Sequence, residues 1–151
     1  ANASEGRGTT RPFEFVGAPW IDAQQFAAEM NSHSLPGVVI RPAHFEPMFH
    51  KGAKQVCGGC QIHVLERDSV ESVAMGVVLL DVLRRQAPRQ FSWRDPPYEY
   101  EHTLAPIDIL YGSSALRDSL EGEHNVNELF AQWPSQLVEF DKIRQSYLLY
   151  E

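Results

Sequence analysis

Ser4-Glu5-Gly6-Arg7-Gly8-Thr9-Thr10-Arg11-Pro12-Phe13-Glu14 packs two carboxylates, two arginines, two glycines and three hydroxyls into eleven residues. It has neither the 3.6-residue apolar period of a helix nor the period-two alternation of a strand. Gly6 and Gly8 permit backbone conformations and close approaches that side-chained residues resist. Glu5 and Arg7 can hold a polar ligand through charged hydrogen bonds, or pair with each other to brace a solvated loop. The residues alone leave both readings open.

Downstream the pattern becomes periodic. Ile21-Asp22-Ala23-Gln24-Gln25-Phe26 predicts a helix start, with Asp22 as cap, Gln25 at the capping-box position and Ile21 stapled onto Phe26. Phe26, Ala27 and Met30 then share a face. Leu35-Pro36-Gly37 ends that helix, and the β-branched run Val38-Val39-Ile40 predicts a buried strand. His44 to Val56 is expected to be a connection. Gln61 to Leu65 predicts a second strand, with Gln61, His63 and Leu65 on one face and Ile62 and Val64 on the other.

Val73, Val77, Leu80 and Leu83 mark a helix that starts between Ser69 and Ser72 and stops at Pro88, with Arg84 and Arg85 suiting its C-terminal dipole. The proline- and aromatic-rich stretch Phe91 to Pro106 is long for a loop inside a domain. A short helical turn at Ile107 to Gly112 and a helix at Ser113 to Glu121 follow. Asn125-Val126-Asn127-Glu128 then forms a capping box before a last helix carrying Leu129, Trp133, Leu137 and Phe140, with Pro134 as a kink or restart. Trp20, Trp133 and Phe140 are expected in the core. Helices outnumber strands without alternating with them, which predicts an α+β fold of helices packed on a small sheet.

Composition bounds the function. The 151 residues fit one domain large enough to bury a core without staples. Thirteen basic against 20 acidic residues leave a net charge of −7. Broad binding to nucleic acid or anionic membranes needs a basic surface, so neither partner is expected. No apolar run approaches the ~20 residues of a membrane span.

Cys57 and Cys60 form one Cys-Gly-Gly-Cys, flanked by His50 and His63 as His-x6-Cys-x2-Cys-x2-His. That is not a usual zinc spacing, and a structural zinc needs four ligands. The preferred reading is a structural loop turning flexibly at Gly58-Gly59, ahead of a local disulfide and then zinc. No metal or other cofactor is expected.

The stretch Ser4 to Glu14 followed by Gly17-Ala18-Pro19-Trp20-Ile21-Asp22, with Gly59-Cys60-Gln61-Ile62-His63-Val64 and the closing Tyr147-Leu148-Leu149-Tyr150, resembles the C-terminal part of the NamZ-type peptidoglycan exo-β-N-acetylmuramidases. The resemblance runs over essentially the whole chain. It implies the C-terminal α+β domain of a two-domain glycosidase that releases N-acetylmuramic acid from peptidoglycan fragments in bacterial cell-wall turnover, in a secreted, periplasmic or envelope-associated setting. It further implies a larger Rossmann-like N-terminal domain whose Pro-Glu-His-Gly motif carries the main catalytic glutamate. Here the Glu-His pairs are Glu101-His102-Thr103 and Glu123-His124-Asn125, so the chain is expected to be a piece, incomplete without that domain. The family pattern has an apolar residue where Cys60 stands. Residues 1–18 are expected to form an interdomain and active-site segment, and 19–151 the α+β domain. An exposed apolar patch is expected where the absent domain docks.

Glycoside hydrolysis usually needs two carboxyl groups across the scissile bond. Glu5 is the better catalytic candidate, with Glu14 second, because the flanking glycines let substrate approach and Arg7 can orient the carboxylate. Arg7, Thr9, Arg41, His63 and Tyr98 are the candidate substrate-binding residues for a muramyl glycan. Arg41 can meet a sugar carboxylate or form a structural pair. His63 can serve as a base or as a hydrogen-bonded core residue. Trp93, Tyr98 and Tyr100 can stack on a sugar face. A non-catalytic module that binds glycan or packs on a neighbouring domain is the alternative.

Overall fold

A computed structural model describes residues 1–122 and 126–150. Three strands, β1 (Phe15–Ala18), β2 (Val38–Phe45) and β3 (Cys57–Val64), form an antiparallel sheet in the order β1-β3-β2. Helix α1 (Ala23–Ser32) lies on β2 and β3, and α2 (Ser72–Gln86) packs on α1. Helices α3 (Pro106–Tyr111), α4 (Ala115–Glu121) and α5 (Val126–Arg144) follow, α4 and α5 resting on α2. This is the α+β architecture that the helix-rich pattern predicts.

Helix α1 forms where the sequence places it. Asp22 is extended, and its carboxylate accepts the Gln25 N–H at 2.8 Å. Ile21 and Phe26 are both buried in the main core. That core joins Val16, Ala18, Ile40 and Cys60 of the sheet to Phe26, Ala27 and Met30 of α1 and Val78, Val82 and Leu83 of α2. On the other side of α2, Val77 meets Leu116, Leu120, Val126 and Leu129 in a second cluster. Helix α2 therefore couples two cores. Its inward face is Ala74, Val77, Val78, Val82 and Leu83, whereas Val73, expected inward, points to solvent.

The strands run further than their apolar residues suggest. β2 continues through Arg41 and Pro42 to Phe45 because it is an edge, where a missing N–H leaves no ladder bond unmade. The Asn31 side chain covers that edge, donating to the Ile40 carbonyl at 2.7 Å and accepting the Ile40 N–H at 3.1 Å. Gly58-Gly59 is central strand and not a flexible turn. Gly59 stands opposite Gly17 and Ala43, and a Cβ there would lie 2.0 Å from the Val16 carbonyl oxygen. Glycine is required by the closeness of β1 and β3, a constraint with no period to reveal it.

Cys57 and Cys60 sit three residues apart on β3, so their side chains leave opposite faces of the strand. Both are buried free thiols, and burial pushes Cys60 up to about 12. They belong to a strand, not to a loop, and that geometry denies them a shared bond or ion. The Asn125 cap lies outside the described residues. Helix α5 runs through Pro134 without a break in its assignment. Trp133 packs against the second cluster, but Phe140, expected in the core, is exposed.

Candidate functional site

Alternation along β3 divides the sheet into an inner face, bearing Cys60 and Ile62, and an outer face, bearing Gln61 and His63. The segment Ser4 to Glu14 is tied to the edge of this sheet. Ser4 and Gly17 exchange backbone hydrogen bonds of 2.7 and 3.0 Å, and Ser4 is buried. The Ser4 hydroxyl accepts the Gly6 N–H at 3.2 Å. Thr9 donates its hydroxyl to the Gly6 carbonyl at 2.6 Å and accepts the Arg11 N–H at 3.1 Å. The Thr9 side chain is thus engaged in shaping the loop. Ala3, Val16 and Ala18 all enter the main core, so the start of the chain packs as part of the module.

Gly8 sets how the loop meets its neighbour. Its φ of +86° is in the left-handed region, and its carbonyl accepts the Met48 N–H at 2.9 Å. This contact brings the 46–56 connection alongside and delivers Lys51 to Glu5. The Lys51 ammonium lies 2.9 Å from one Glu5 oxygen, and the Arg7 guanidinium 3.5 Å from the other. Arg7 also stands over the Phe13 ring, 5.4 Å from its centroid. Burial pushes the Glu5 carboxyl up, but the Lys51 hydrogen bond, a backbone N–H and the charges of Lys51 and Arg7 outweigh it. The net effect holds Glu5 below the usual carboxylate range. It is an ionised acceptor flanked by two cations, poorly suited to donating a proton.

A second polar group crosses the sheet's outer face. Arg41 lies inside β2, opposite Gln61, and donates to the Gln61 oxygen at 2.6 Å. The Gln61 amide donates to Glu14 at 3.1 Å, and Arg11 donates to the same Glu14 oxygen at 2.9 Å. Hydrogen bonds from Arg11 and then Gln61 hold the exposed Glu14 carboxyl low, with the charge of Arg11 adding to them. His63 pairs across from Val39, and its Nε2 is shielded without a hydrogen-bond partner among the described residues. Arg41 therefore has the structural partner that one reading gave it, while its guanidinium remains at the surface.

The structure joins Glu5, Arg7 and Thr9 in one loop and places Arg41 and His63 on the adjoining sheet face. Tyr98 belongs to another segment, where Arg94 lies over its ring at 5.5 Å. Trp93 is occupied: its indole N–H donates to Glu121 at 2.8 Å, and its ring packs edge-on against Phe91. Lys51 is the member of the charged cluster that sequence reasoning missed. It lies 46 residues from Glu5 in the chain, and the Gly8–Met48 contact helps bring the two together.

The fold and this charged loop define a small α+β module with one polar, glycine-shaped face. Residues 1–150 match the family described as exo-beta-N-acetylmuramidase NamZ, C-terminal. The chain is 34% identical over 149 residues to the peptidoglycan beta-N-acetylmuramidase NamZ of Bacillus subtilis (strain 168), covering 99% of itself and 34% of that protein. A crystal structure of a DUF1343 family protein from Bacteroides fragilis NCTC 9343 has the same fold, with a TM-score of 0.78 at 23% identity, over 99% of this chain and 38% of that one. The chain belongs to the NamZ C-terminal family. It spans about a third of the length of these two relatives.

Proposed function

We propose that this chain is the C-terminal portion of an exo-β-N-acetylmuramidase, a glycoside hydrolase that releases N-acetylmuramic acid from peptidoglycan fragments. The family match over residues 1–150 and the likeness to the Bacillus subtilis muramidase support this reading. The observation that carries it to particular residues is the Glu5–Arg7–Lys51 cluster, held by a loop whose backbone bonds and Gly8 fix its shape. Residues 1–18 contribute this interdomain and active-site segment, residues 19–151 form the supporting domain, whose sheet and core β1 and Ala3 complete, and an N-terminal domain supplies the main catalytic carboxylate. No helix among the described residues is long and apolar enough to cross a membrane.

Glycosidase transition states carry oxocarbenium character, so a fixed anion near the sugar ring stabilises developing positive charge. Glu5, kept ionised by Lys51 and Arg7, suits that task or acceptance of a sugar hydroxyl. Arg7 and Arg41 offer cationic groups for the acidic and polar substituents of a muramyl sugar, His63 stands on the same sheet face as Arg41, and Tyr98 offers an aromatic face. Thr9 acts through the shape of the loop. In the full-length enzyme, Glu5→Gln and Arg7→Ala should each lower kcat/KM on muramyl disaccharides at least about tenfold, the equivalent of about 1.4 kcal/mol of transition-state binding. Unchanged kinetics in both variants would return the loop to a structural role, and saturable muramyl-glycan binding that is insensitive to Glu5→Gln, with no hydrolysis by the full-length protein, would favour the non-catalytic module instead.

A further inference from the structure

Helix α5 changes surroundings halfway along its length while its sequence pattern does not change. Val126, Leu129, Phe130 and Trp133 recur at helical spacing and pack on the second core cluster. The same stripe continues through Leu137 and Phe140 and, after Arg144, to Tyr147. These residues are 65%, 59% and 78% exposed, and beyond them Leu149 is 94% exposed. Val138 and Ile143, on other sides of the helix, are also apolar and exposed. A helix that is apolar on several sides belongs in contact with protein. At its inner end the stripe adjoins an open groove of about 870 Å³ lined by Leu35, Pro36, Val73, Trp133 and Leu137.

We infer that the second half of α5 and the Tyr147-Leu148-Leu149-Tyr150 tail form the surface on which the N-terminal domain of the same chain seats. The inference rests on the reading that this module is part of a longer enzyme. The two relatives are about three times as long as the part that matches, so this fold occurs beside a much larger body of protein. A covalently tethered domain reaches effective concentrations in the millimolar range, well above those at which a second copy would compete for the same stripe. The stripe, apolar on either side of Arg144, supplies a footing of the kind that monomers rarely leave bare.

The test is photo-cross-linking in the full-length enzyme, with p-benzoylphenylalanine replacing Tyr147 or Leu149, and Tyr100 as a control position. Tyr147 and Leu149 are already exposed, so neither replacement disturbs the module's core. Intramolecular cross-links from both positions to peptides upstream of residue 1, and none from Tyr100, are expected. A second full-length variant, Leu137→Asp/Phe140→Asp, should reduce those cross-links at least tenfold while α1 and β3 keep their amide-exchange protection. Cross-links that join two chains, or no cross-links from either position, as for a stripe facing solvent or lipid, would overturn the inference. Muramidase turnover by the same preparation separates the two questions. Turnover without cross-links removes the docking surface only, and cross-links without turnover remove the functional reading only.

Discussion

Residues 4–14 and 91–105 look alike in sequence, since both lack periodicity and both mix charge with aromatic rings, yet they are held in different ways. The first is bound by backbone groups: Ser4 to Gly17 on one side, Gly8 to Met48 on the other, and the Phe13 N–H to the Glu5 carbonyl at 2.7 Å. The second is held at its near end by Phe91 and Trp93. It then turns on itself through reciprocal Tyr98–Glu101 backbone bonds of 2.9 and 3.0 Å, leaving Tyr100 96% exposed. Glycine permits the close approach that makes the first loop part of the fold. The second, rich in proline and bulky side chains, is fastened mainly at its near end, by the Phe91 and Trp93 side chains and by Ser92, whose carbonyl accepts the Asn2 N–H and whose N–H donates to the Asn2 side chain, each at 3.0 Å.

The sharpest way to break this contrast is Gly8→Ala. A Cβ there would lie 2.8 Å from the Phe49 nitrogen and 2.9 Å from that of Met48, on a backbone with φ +86°. The substitution should cost about 3 kcal/mol, combining overpacking with an unfavourable left-handed conformation. A urea midpoint shift at constant m value is the measurement. An unchanged midpoint would show that the 4–14 loop is no better fastened than the 91–105 segment.

Trp93→Phe tests the anchor of the second segment. It removes the indole donor to Glu121 while leaving an aromatic ring against Phe91. A loss of about 1 kcal/mol is expected, the ordinary net value of one hydrogen bond. Lys51→Met should cost still less, under about 1 kcal/mol, because its pair with Glu5 is partly exposed. Its clearer signature is electrostatic: without the Lys51 hydrogen bond and charge, the Glu5 carboxyl should titrate at higher pH, as read by carbonyl chemical shift. A Glu5 titration unmoved in Lys51→Met would mean that the pair does not form in solution.

Legibility in the sequence followed the same division. Helix α1 was readable because cap, staple and apolar spacing all act within a few residues, and α2 and α4 were readable from their periods and stops. Strand β1 and the outer halves of β2 and β3 were not, because Gly17, Pro42, Gly58 and Gly59 carry no apolar alternation. Their placement depends on the approach of another strand or on an unpaired edge. Among the site residues, Glu5, Arg7 and Thr9 were legible as one loop, and His63 by its strand parity. Lys51 was not, since nothing local marks a lysine that a backbone contact 40 residues from Gly8 brings into place. Phe140 was assigned inward because its stripe is amphipathic, and the pattern does not say which protein surface covers it.

The smallest expected effect concerns Glu101, which holds the turn of the second segment. Its carboxylate accepts the Thr103 N–H and hydroxyl, each at 2.6 Å, and the Leu104 N–H at 3.1 Å. The Thr103 hydroxyl and then these backbone donors favour the charged form, which lowers the carboxyl from 4.5 to about 2 against a minor opposing effect of burial. Because the folded value is depressed, the turn's extra stability is fully present above about pH 4.5. It fades as the pH falls and is gone once the group protonates near 2. The Thr103 and Leu104 amide resonances should therefore titrate with a midpoint near 2, while far-ultraviolet circular dichroism stays constant from pH 7 to about 4.5. In Glu101→Gln the same resonances should lose that titration, while the amides of α1 and β3 keep their exchange protection. A midpoint at the ordinary carboxylate value would show that the turn is open in solution. The 91–105 segment would then be fastened near its start, at Phe91, Ser92 and Trp93, which would widen its contrast with the glycine-shaped loop at 4–14.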